Sequence, residues 1–164
     1  MATRRIIRVT HRNYAEDAYS GRGGLYAAGR WHHRGRLVAY AAESLALATL
    51  EKIVAVNDVQ RLREMVYVPA HLNDEAIWAP SLDDLPDGWD QRPPGAASRD
   101  FGTDWLDSER SPTLQVPSAL FPTEAHNYVL NPAHPDFDAA VEVDEAQPLT
   151  LDPRIETRLG EDSS

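Results

Sequence analysis

The sequence has 164 residues, no cysteine and a formal net charge of −10 at pH 7. This length suits one domain, and the lack of cysteine excludes disulfides, cysteine nucleophiles and thiolate metal sites. The acidic balance argues against binding nucleic acid through a general basic field. Neither a signal peptide nor an apolar run of transmembrane length is apparent. We therefore expect a cytoplasmic protein that binds neither membranes nor nucleic acid, with one domain over residues 1–164 and a disordered tail at 160–164.

The elements predicted from the apolar pattern are short and numerous, which indicates an α+β fold class. Strands are expected at residues 5–10, 36–41, 63–70, 76–78, 114–119, 128–130 and 148–151. A helix is expected at residues 45–56, with Ser44 as its N-cap and Asn57 among the residues that stop it. A second helix is expected to start at Ser98. Pro117 makes its strand an edge strand or a bulged one.

Charge is distributed unevenly along the chain. Arginines are dense at the N-terminal end, at positions 4, 5, 8, 12, 22, 30, 34 and 36. A locally basic segment in an acidic protein is typical of an anion site, although a solvated charged face explains it equally well. The glycine-rich run at residues 21–24 matches neither a phosphate loop nor a dinucleotide fingerprint, because no strand-to-helix context surrounds it.

The tripeptide Gly29-Arg30-Trp31 has the chemistry of a phosphate contact. Glycine lets the backbone approach a ligand closely, and the planar fork of arginine matches phosphate oxygens. The Trp31 ring can stack on a ligand ring or cover the core. The tripeptide by itself does not decide between these roles.

The helix at residues 45–56 has an apolar stripe with one carboxylate at its border. The stripe consists of Leu47, Leu50 and Val54, at spacings of three and four residues. Glu51 falls on the border of this stripe, and Lys52 is expected to point away from it. A border carboxylate can line a cleft, but periodicity alone favours a surface position for Glu51.

Three further residue types have both a functional and a structural explanation. Tyr40 offers a ring and a hydroxyl if its strand face meets a ligand, and otherwise is an ordinary strand tyrosine. Ser118 can aim its hydroxyl into a cleft or satisfy a local backbone group; the lack of a GxSxG elbow argues against a nucleophile. The six histidines show no recognised metal spacing, so no metal site is expected.

Four motifs occur in one order that resembles the RES domain family. They are GRW at residues 29–31, YAAES at 40–44, VPSA at 116–119 and NYVLNP at 127–132. The resemblance covers about residues 8–137 and places the family's arginine, glutamate and serine at Arg30, Glu51 and Ser118. The family's active-site tyrosine matches Tyr40. His32 is a local departure, because many members have asparagine after the tryptophan.

The resemblance implies a fold similar to that of ADP-ribosyltransferases and diphtheria-like toxins. This fold has short, mainly antiparallel strands in two small sheets, with helices around an NAD cleft. It also implies a toxin that degrades NAD, and a small helix-turn-helix antitoxin of Xre type that blocks the active site. NAD is then the substrate and no cofactor is expected, with inorganic phosphate as a candidate co-substrate.

The resemblance also assigns roles to individual residues. The implied catalytic residues are Arg30, Tyr40, Glu51 and Ser118. The implied NAD-binding residues are Arg22, Arg30, Trp31, Tyr40, Ser118 and Asn131. If phosphate replaces water as the acceptor, a second basic group is needed near the glutamate. Its candidates are Arg22, Arg34 and Arg36.

Two other functions remain open at this point. ADP-ribose transfer to a protein target would use the same cleft, with an extra acidic residue such as Glu43 near the glutamate. A non-catalytic module that binds a nucleotide or a partner would keep the basic loop and the aromatic residues but need no carboxylate in a cleft.

Overall fold

The computed structural model describes residues 2–56 and 58–161 and shows a mixed α+β fold built on one eight-stranded sheet. The strands are β1 (Thr3–His11), β2 (Ala39–Ala42), β3 (Met65–Asn73), β4 (Ile77–Trp78), β5 (Thr113–Pro117), β6 (His126–Leu130), β7 (Val141–Val143) and β8 (Gln147–Pro148). Their order is β4-β5-β6-β2-β1-β3-β7, and β8 also pairs with β3. The described pairs are antiparallel except β4–β5, so the expectation of mainly antiparallel strands is confirmed.

The single sheet differs from the two small sheets expected from the resemblance, but it is weakly joined at one point. β1 pairs with β3 over its whole length, from Thr3–Asn73 to His11–Met65. β1 and β2, in contrast, are in register only at Ile7–Ala42. The two halves of the sheet therefore diverge on either side of this junction while remaining hydrogen-bonded there.

The helices flank this sheet. They are α1 (Leu45–Ala55), α2 (Val59–Leu62), α3 (Ala96–Ser108), α4 (Phe137–Ala140) and α5 (Pro153–Glu161). The predicted cap of α1 is confirmed, because the Ser44 hydroxyl accepts a hydrogen bond from the Leu47 N–H. Asn57, expected to help stop this helix, lies outside the described residues.

One prediction about a helix end was wrong. The N-cap of α3 is Gly95, not Ser98, which is buried inside the helix. The two alanines that open α3 favour helix strongly enough to start it before the serine. The expected tail at 160–164 is helical at its first two residues, because α5 extends to Glu161. Residues 162–164 lie outside the described residues.

The core is divided between the two faces of the sheet. Successive side chains of a strand point to opposite faces, so Ile6 and Ile7 of β1 join different clusters. α1 covers the Ile7 side through Leu47. This packing places α1 next to the junction of β1 and β2. Over the described ranges, none of the helices has both the length and the apolar character needed to span a bilayer.

Candidate functional site

An open cavity of about 590 Å³ lies where β1 and β2 diverge. Both strands line it, together with α1, the loop at residues 29–31 and the segment that follows β5. Its charged lining residues are Arg8, Arg30, Glu51, Lys52 and Arg92. Among the described residues that line it there is thus one carboxylate and four cations, although the whole chain has a net charge of −10. Such a lining favours an anionic ligand.

Two donors from distant parts of the chain hold the carboxylate. Glu51 Oε1 accepts a hydrogen bond of 2.6 Å from Ser118 Oγ and one of 3.0 Å from Asn127 Nδ2. The Ser118 hydroxyl in turn accepts from the Leu120 N–H at 3.1 Å. None of the described residues hydrogen-bonds Oε2, which leaves that oxygen available to a ligand. Glu51 is therefore a fixed, half-buried carboxylate in a cavity, not the surface residue that periodicity favoured.

The Tyr40 hydroxyl is fixed by His32, and the hydrogen bonds determine the tautomer of that ring. His32 Nε2 lies 2.8 Å from the carbonyl oxygen of Ala27, which can only accept, so Nε2 carries the proton. Nδ1 is then an acceptor, and Tyr40 donates its hydroxyl proton to it at 2.6 Å. The same hydroxyl accepts from the Trp31 N–H at 3.2 Å. Its one donor proton is thus used within the protein, so Tyr40 can offer a ligand its ring but no hydroxyl donor.

Burial adjusts the ionisation of this pair. Burial lowers the pKa of His32, and the nearby charge of Arg99 lowers it further, so the ring is neutral at pH 7. Burial also raises the pKa of Tyr40, which therefore keeps its hydroxyl proton. Both effects maintain the donor and acceptor roles that the geometry requires.

Arg30 lines the cavity and is hydrogen-bonded to the segment before α3. Its Nη1 donates to the carbonyl oxygens of Trp89 and Gln91, each at 2.9 Å. No described residue accepts from its remaining N–H groups, which therefore stay available to a ligand. Burial lowers the pKa of Arg30, while the charge of Glu51 opposes that shift, and the group remains a cation.

The glycine before Arg30 is required by close packing. A Cβ on Gly29 would lie 2.7 Å from the Tyr40 hydroxyl oxygen and 3.0 Å from His32 Nδ1. Trp31, in contrast, has its ring in the core, with 3% of the residue exposed and the ring stacked on Trp89 at a centroid distance of 6.0 Å. Of the two roles open for Trp31, the structure favours the core.

Several candidates from the sequence are not among the residues that line the cavity. Arg22 is exposed and lies 3.9 Å from Asp17. Asn131 is buried and shapes its own loop, donating to the Leu106 carbonyl at 3.4 Å and accepting from the Ala133 N–H at 3.2 Å. Of the other two basic candidates, Arg36 is paired with Asp107 and Arg34 is exposed.

The structure adds four lining residues with a charged or amide side chain that sequence analysis missed. They are Arg8, Lys52, Arg92 and Asn127. Lys52 was expected to point away because the apolar stripe was placed wrongly: Leu50 and Val54 are 42% and 66% exposed. The sequence did contain a signal that could have pointed to Lys52 as a site residue: it is the only lysine in the sequence and it follows Glu51 directly. Across the described ranges, no group of three or more histidine, aspartate or glutamate side chains could hold a metal ion.

The comparison with known proteins agrees with these motifs. Residues 5–152 match the family model of the RES domain. "Toxin Res" from Yersinia enterocolitica is 35% identical over 150 residues, which is 92% of this chain and 98% of that protein. The "Prs ADP-ribosylating toxin" from Sphingobium sp. strain YBL2 is 36% identical over 147 residues, covering 88% of this chain and 90% of that protein.

A solved structure has a similar fold. The chain superposes on one chain of the crystal structure of the M. tuberculosis MbcT–MbcA toxin–antitoxin complex with a TM-score of 0.73. The match covers 96% of this chain and 89% of that chain at 16% identity, so it concerns the fold alone. The family model and the sequence relatives span nearly the whole chain. The chain therefore belongs to the RES domain family.

Proposed function

We propose that this chain is the toxin of a toxin–antitoxin pair and that it cleaves the bond between nicotinamide and ribose in NAD. The observation that carries the proposal is the fixed carboxylate of Glu51 in a cavity otherwise lined by cations. The names of the sequence relatives, "Toxin Res" and "Prs ADP-ribosylating toxin", support the class of activity. The opening of the sheet at β1–β2 supports the ADP-ribosyltransferase-like cleft that the resemblance implies.

One carboxylate is sufficient for this reaction. Nicotinamide carries a positive charge in NAD and leaves as a neutral molecule, so the leaving group needs no proton. Ordinary glycoside hydrolysis differs, because there a second carboxyl group protonates the departing oxygen. Among the described lining residues, Glu51 is the carboxylate that can face the positive charge that develops on the ribose.

Each residue of the site then has a distinct role. Arg30 would bind the pyrophosphate through the N–H groups that its carbonyl contacts leave unused. Tyr40 would pack its ring against nicotinamide or the adjoining ribose, since its hydroxyl is held by His32. Ser118 would position Glu51 and would not act as a nucleophile. Water attacks C1 of the ribose as nicotinamide departs, and Glu51 orients that water and takes up its released proton, giving ADP-ribose.

A product assay tests this proposal. The purified protein is incubated with NAD, and the products are identified by mass spectrometry with and without phosphate. We expect nicotinamide together with ADP-ribose, or with its 1-phosphate if phosphate is the acceptor. Glu51→Gln should remove product formation while NAD binding and thermal stability persist. Glu64→Gln changes an exposed glutamate outside the cavity and serves as the control. Turnover of NAD by the Glu51→Gln protein at the normal rate would refute the assignment.

A second candidate is ADP-ribose transfer to a protein. The observation that favours it is the 36% identity with the Sphingobium relative whose name describes an ADP-ribosylating toxin. Incubation with labelled NAD and a cell extract separates the two activities. Transfer would give a labelled protein band that disappears in Glu51→Gln, whereas cleavage would give free labelled product only.

The proposed partner is an antitoxin of the helix-turn-helix, Xre type that covers the cavity. The similar fold in a toxin–antitoxin complex supports such a partner. Apolar side chains are exposed around the opening, with Val54 66% exposed and Phe121, next to the lining residue Leu120, 49% exposed. An excess of the protein whose gene neighbours the gene for this chain should stop NAD loss. Undiminished NAD loss would exclude that neighbour as the antitoxin.

A further inference from the structure

We propose that Arg8 and Lys52 form a subsite for a phosphate group in the cavity, separate from the pyrophosphate contact assigned to Arg30. The subsite would hold either inorganic phosphate or a phosphate monoester carried by the nucleotide. Its catalytic meaning rests on the proposed function, but its occupancy can be measured without turnover.

The guanidinium of Arg8 has an unused donor. Arg8 lies on β1, and its Nη1 donates to the Tyr40 carbonyl oxygen at 3.0 Å, across the place where β1 and β2 diverge. Its Nε is buried and has no hydrogen-bond partner among the described residues. A buried N–H without an acceptor is rare and unfavourable in a folded protein. An acceptor from a ligand would satisfy it.

Lys52 is a second cation without a partner. It lines the cavity from α1, and its ammonium group makes no hydrogen bond or ion pair with any described residue. Burial and, to a smaller extent, the positive charge of Arg8 together lower its pKa to about 8. An amine placed in this way beside a guanidinium is unfavourable in the empty protein. The repulsion would be relieved by an anion that contacts both groups.

The carboxylates nearby do not satisfy this pair. Asp17 raises the pKa of Arg8 only through its charge, and it forms no ion pair with Arg8. Glu51 Oε1 is already held by Ser118 and Asn127, and Oε2 makes no hydrogen bond with either cation. Two cations that line one cavity and have N–H donors unused by any described residue fit an oxyanion that has two charges and several acceptor oxygens, which describes a phosphate group better than a carboxylate.

The sequence provides a direct probe of this subsite. Lys52 is the only lysine among 164 residues, so protein labelled with ε-¹³C lysine gives one Lys side-chain resonance. Its titration is followed in phosphate and in chloride at equal ionic strength. The ionisable groups that share the cavity with it are Arg8, Arg30, Tyr40, Glu51 and Arg92. Bound phosphate should raise the pKa of Lys52 by about one unit, because an adjacent anion favours the charged amine.

Variants identify the groups that bind. Affinity for inorganic phosphate is measured by calorimetry on the whole chain without NAD. Lys52→Met should weaken it by roughly tenfold or more, since it removes one of two charge-assisted contacts. Arg34→Met removes an exposed cation outside the cavity and should leave the affinity unchanged. An unmoved Lys52 resonance together with equal affinities in all three proteins would overturn the subsite.

A second pair of measurements separates the two sources of phosphate. NAD and NADP binding are compared in the Glu51→Gln protein without free phosphate. If the nucleotide supplies the group, NADP binds more tightly than NAD and Lys52→Met removes the difference. If free phosphate supplies it, NAD and NADP bind alike and phosphate binds alongside NAD. Either result supports the subsite, whereas no NADP preference and no phosphate binding would reject it. If the protein binds phosphate but does not cleave NAD, the proposed function is rejected and the subsite is retained.

Discussion

Ser118 Oγ donates a 2.6 Å hydrogen bond to Glu51 Oε1, although the two residues are 67 positions apart in the sequence. The serine is fully buried directly after Pro117, where β5 ends, and its own N–H donates to the Ala125 carbonyl at 2.9 Å. Its position is therefore fixed by backbone contacts before it meets the carboxylate. The geometry assigns Ser118 a positioning role.

Replacement of this serine should lower turnover more than binding. Ser118→Ala removes one of two hydrogen bonds to a charged group, which typically contribute about 1.5–3 kcal/mol each. We expect kcat for NAD cleavage to fall roughly ten- to a hundredfold, with little change in KM. Steady-state kinetics measures this, and calorimetric NAD binding provides the control. If Ser118 instead bound the ribose directly, the Ser118→Ala protein would show a loss of NAD affinity.

Arg30 should control affinity for the dinucleotide. In the Glu51→Gln background, where turnover does not interfere, Arg30→Ala is expected to weaken NAD binding by about ten- to a hundredfold. Arg30→Lys should recover only part of this, because an ammonium lacks the planar fork. Equal NAD affinity with and without the Arg30→Ala change would remove this residue from the pyrophosphate site.

His32 should make the fold sensitive to acid. Its pKa is lowered from 6.5 by burial, so below pH 6.5 the unfolded chain binds more protons than the folded one. The stability contribution is complete above pH 6.5 and is lost as the pH falls through the lower pKa of the folded state. We expect the melting temperature to fall less steeply between pH 6.5 and roughly pH 5 in His32→Asn than in the unmodified protein. His134→Asn, at a half-buried histidine that also contacts a backbone carbonyl, is the matched control variant.

Lys52 should destabilise the empty protein. Its pKa of about 8 lies below the ordinary value of 10.5, so stability should rise as the pH increases from 8 to 10.5. Lys52→Met should therefore raise the free energy of unfolding at pH 7 by ~1–2 kcal/mol, which for this size corresponds to roughly 2–8 °C in melting temperature. Scanning calorimetry without phosphate provides the measurement. A Lys52→Met protein that melts at the same temperature as the unmodified protein, or lower, would contradict the conclusion that Lys52 destabilises the empty protein.

The positions of seven strands and of helices α1 and α3 were largely predictable because they depend on local patterns, whereas β7, α2, α4 and α5 were not predicted. The apolar run of β1 and the serine cap of α1 are signals contained in a few residues, and both are confirmed. The start of α3 was misplaced because alanine propensity extended the helix beyond the polar cap candidate. Strands β2 and β5 were expected a residue or more longer at one end than they are.

The wall of the cavity could not be predicted in the same way. A helical wheel assigns α1 one apolar face, but here Val54 is exposed at the cavity while the small Ala48 is buried. The opening between β1 and β2 determines which side chains of α1 face the cavity. A helical wheel carries no information about this opening, because it describes only the helix itself. Arg8 and Asn127 reach the cavity through the same opening and through strand order, both of which are long-range properties.

The separation of Glu51 from its two donors has a consequence for synthesis on the ribosome. The carboxylate leaves the ribosome early, whereas Ser118 follows 67 residues later and Asn127 follows 76 residues later. A nascent chain that contains α1 but not β6 cannot hold Glu51 in its working position. Any activity that depends on this carboxylate therefore begins only after β6 has been synthesised, and truncated products that end before β6 should be harmless to the cell that makes them.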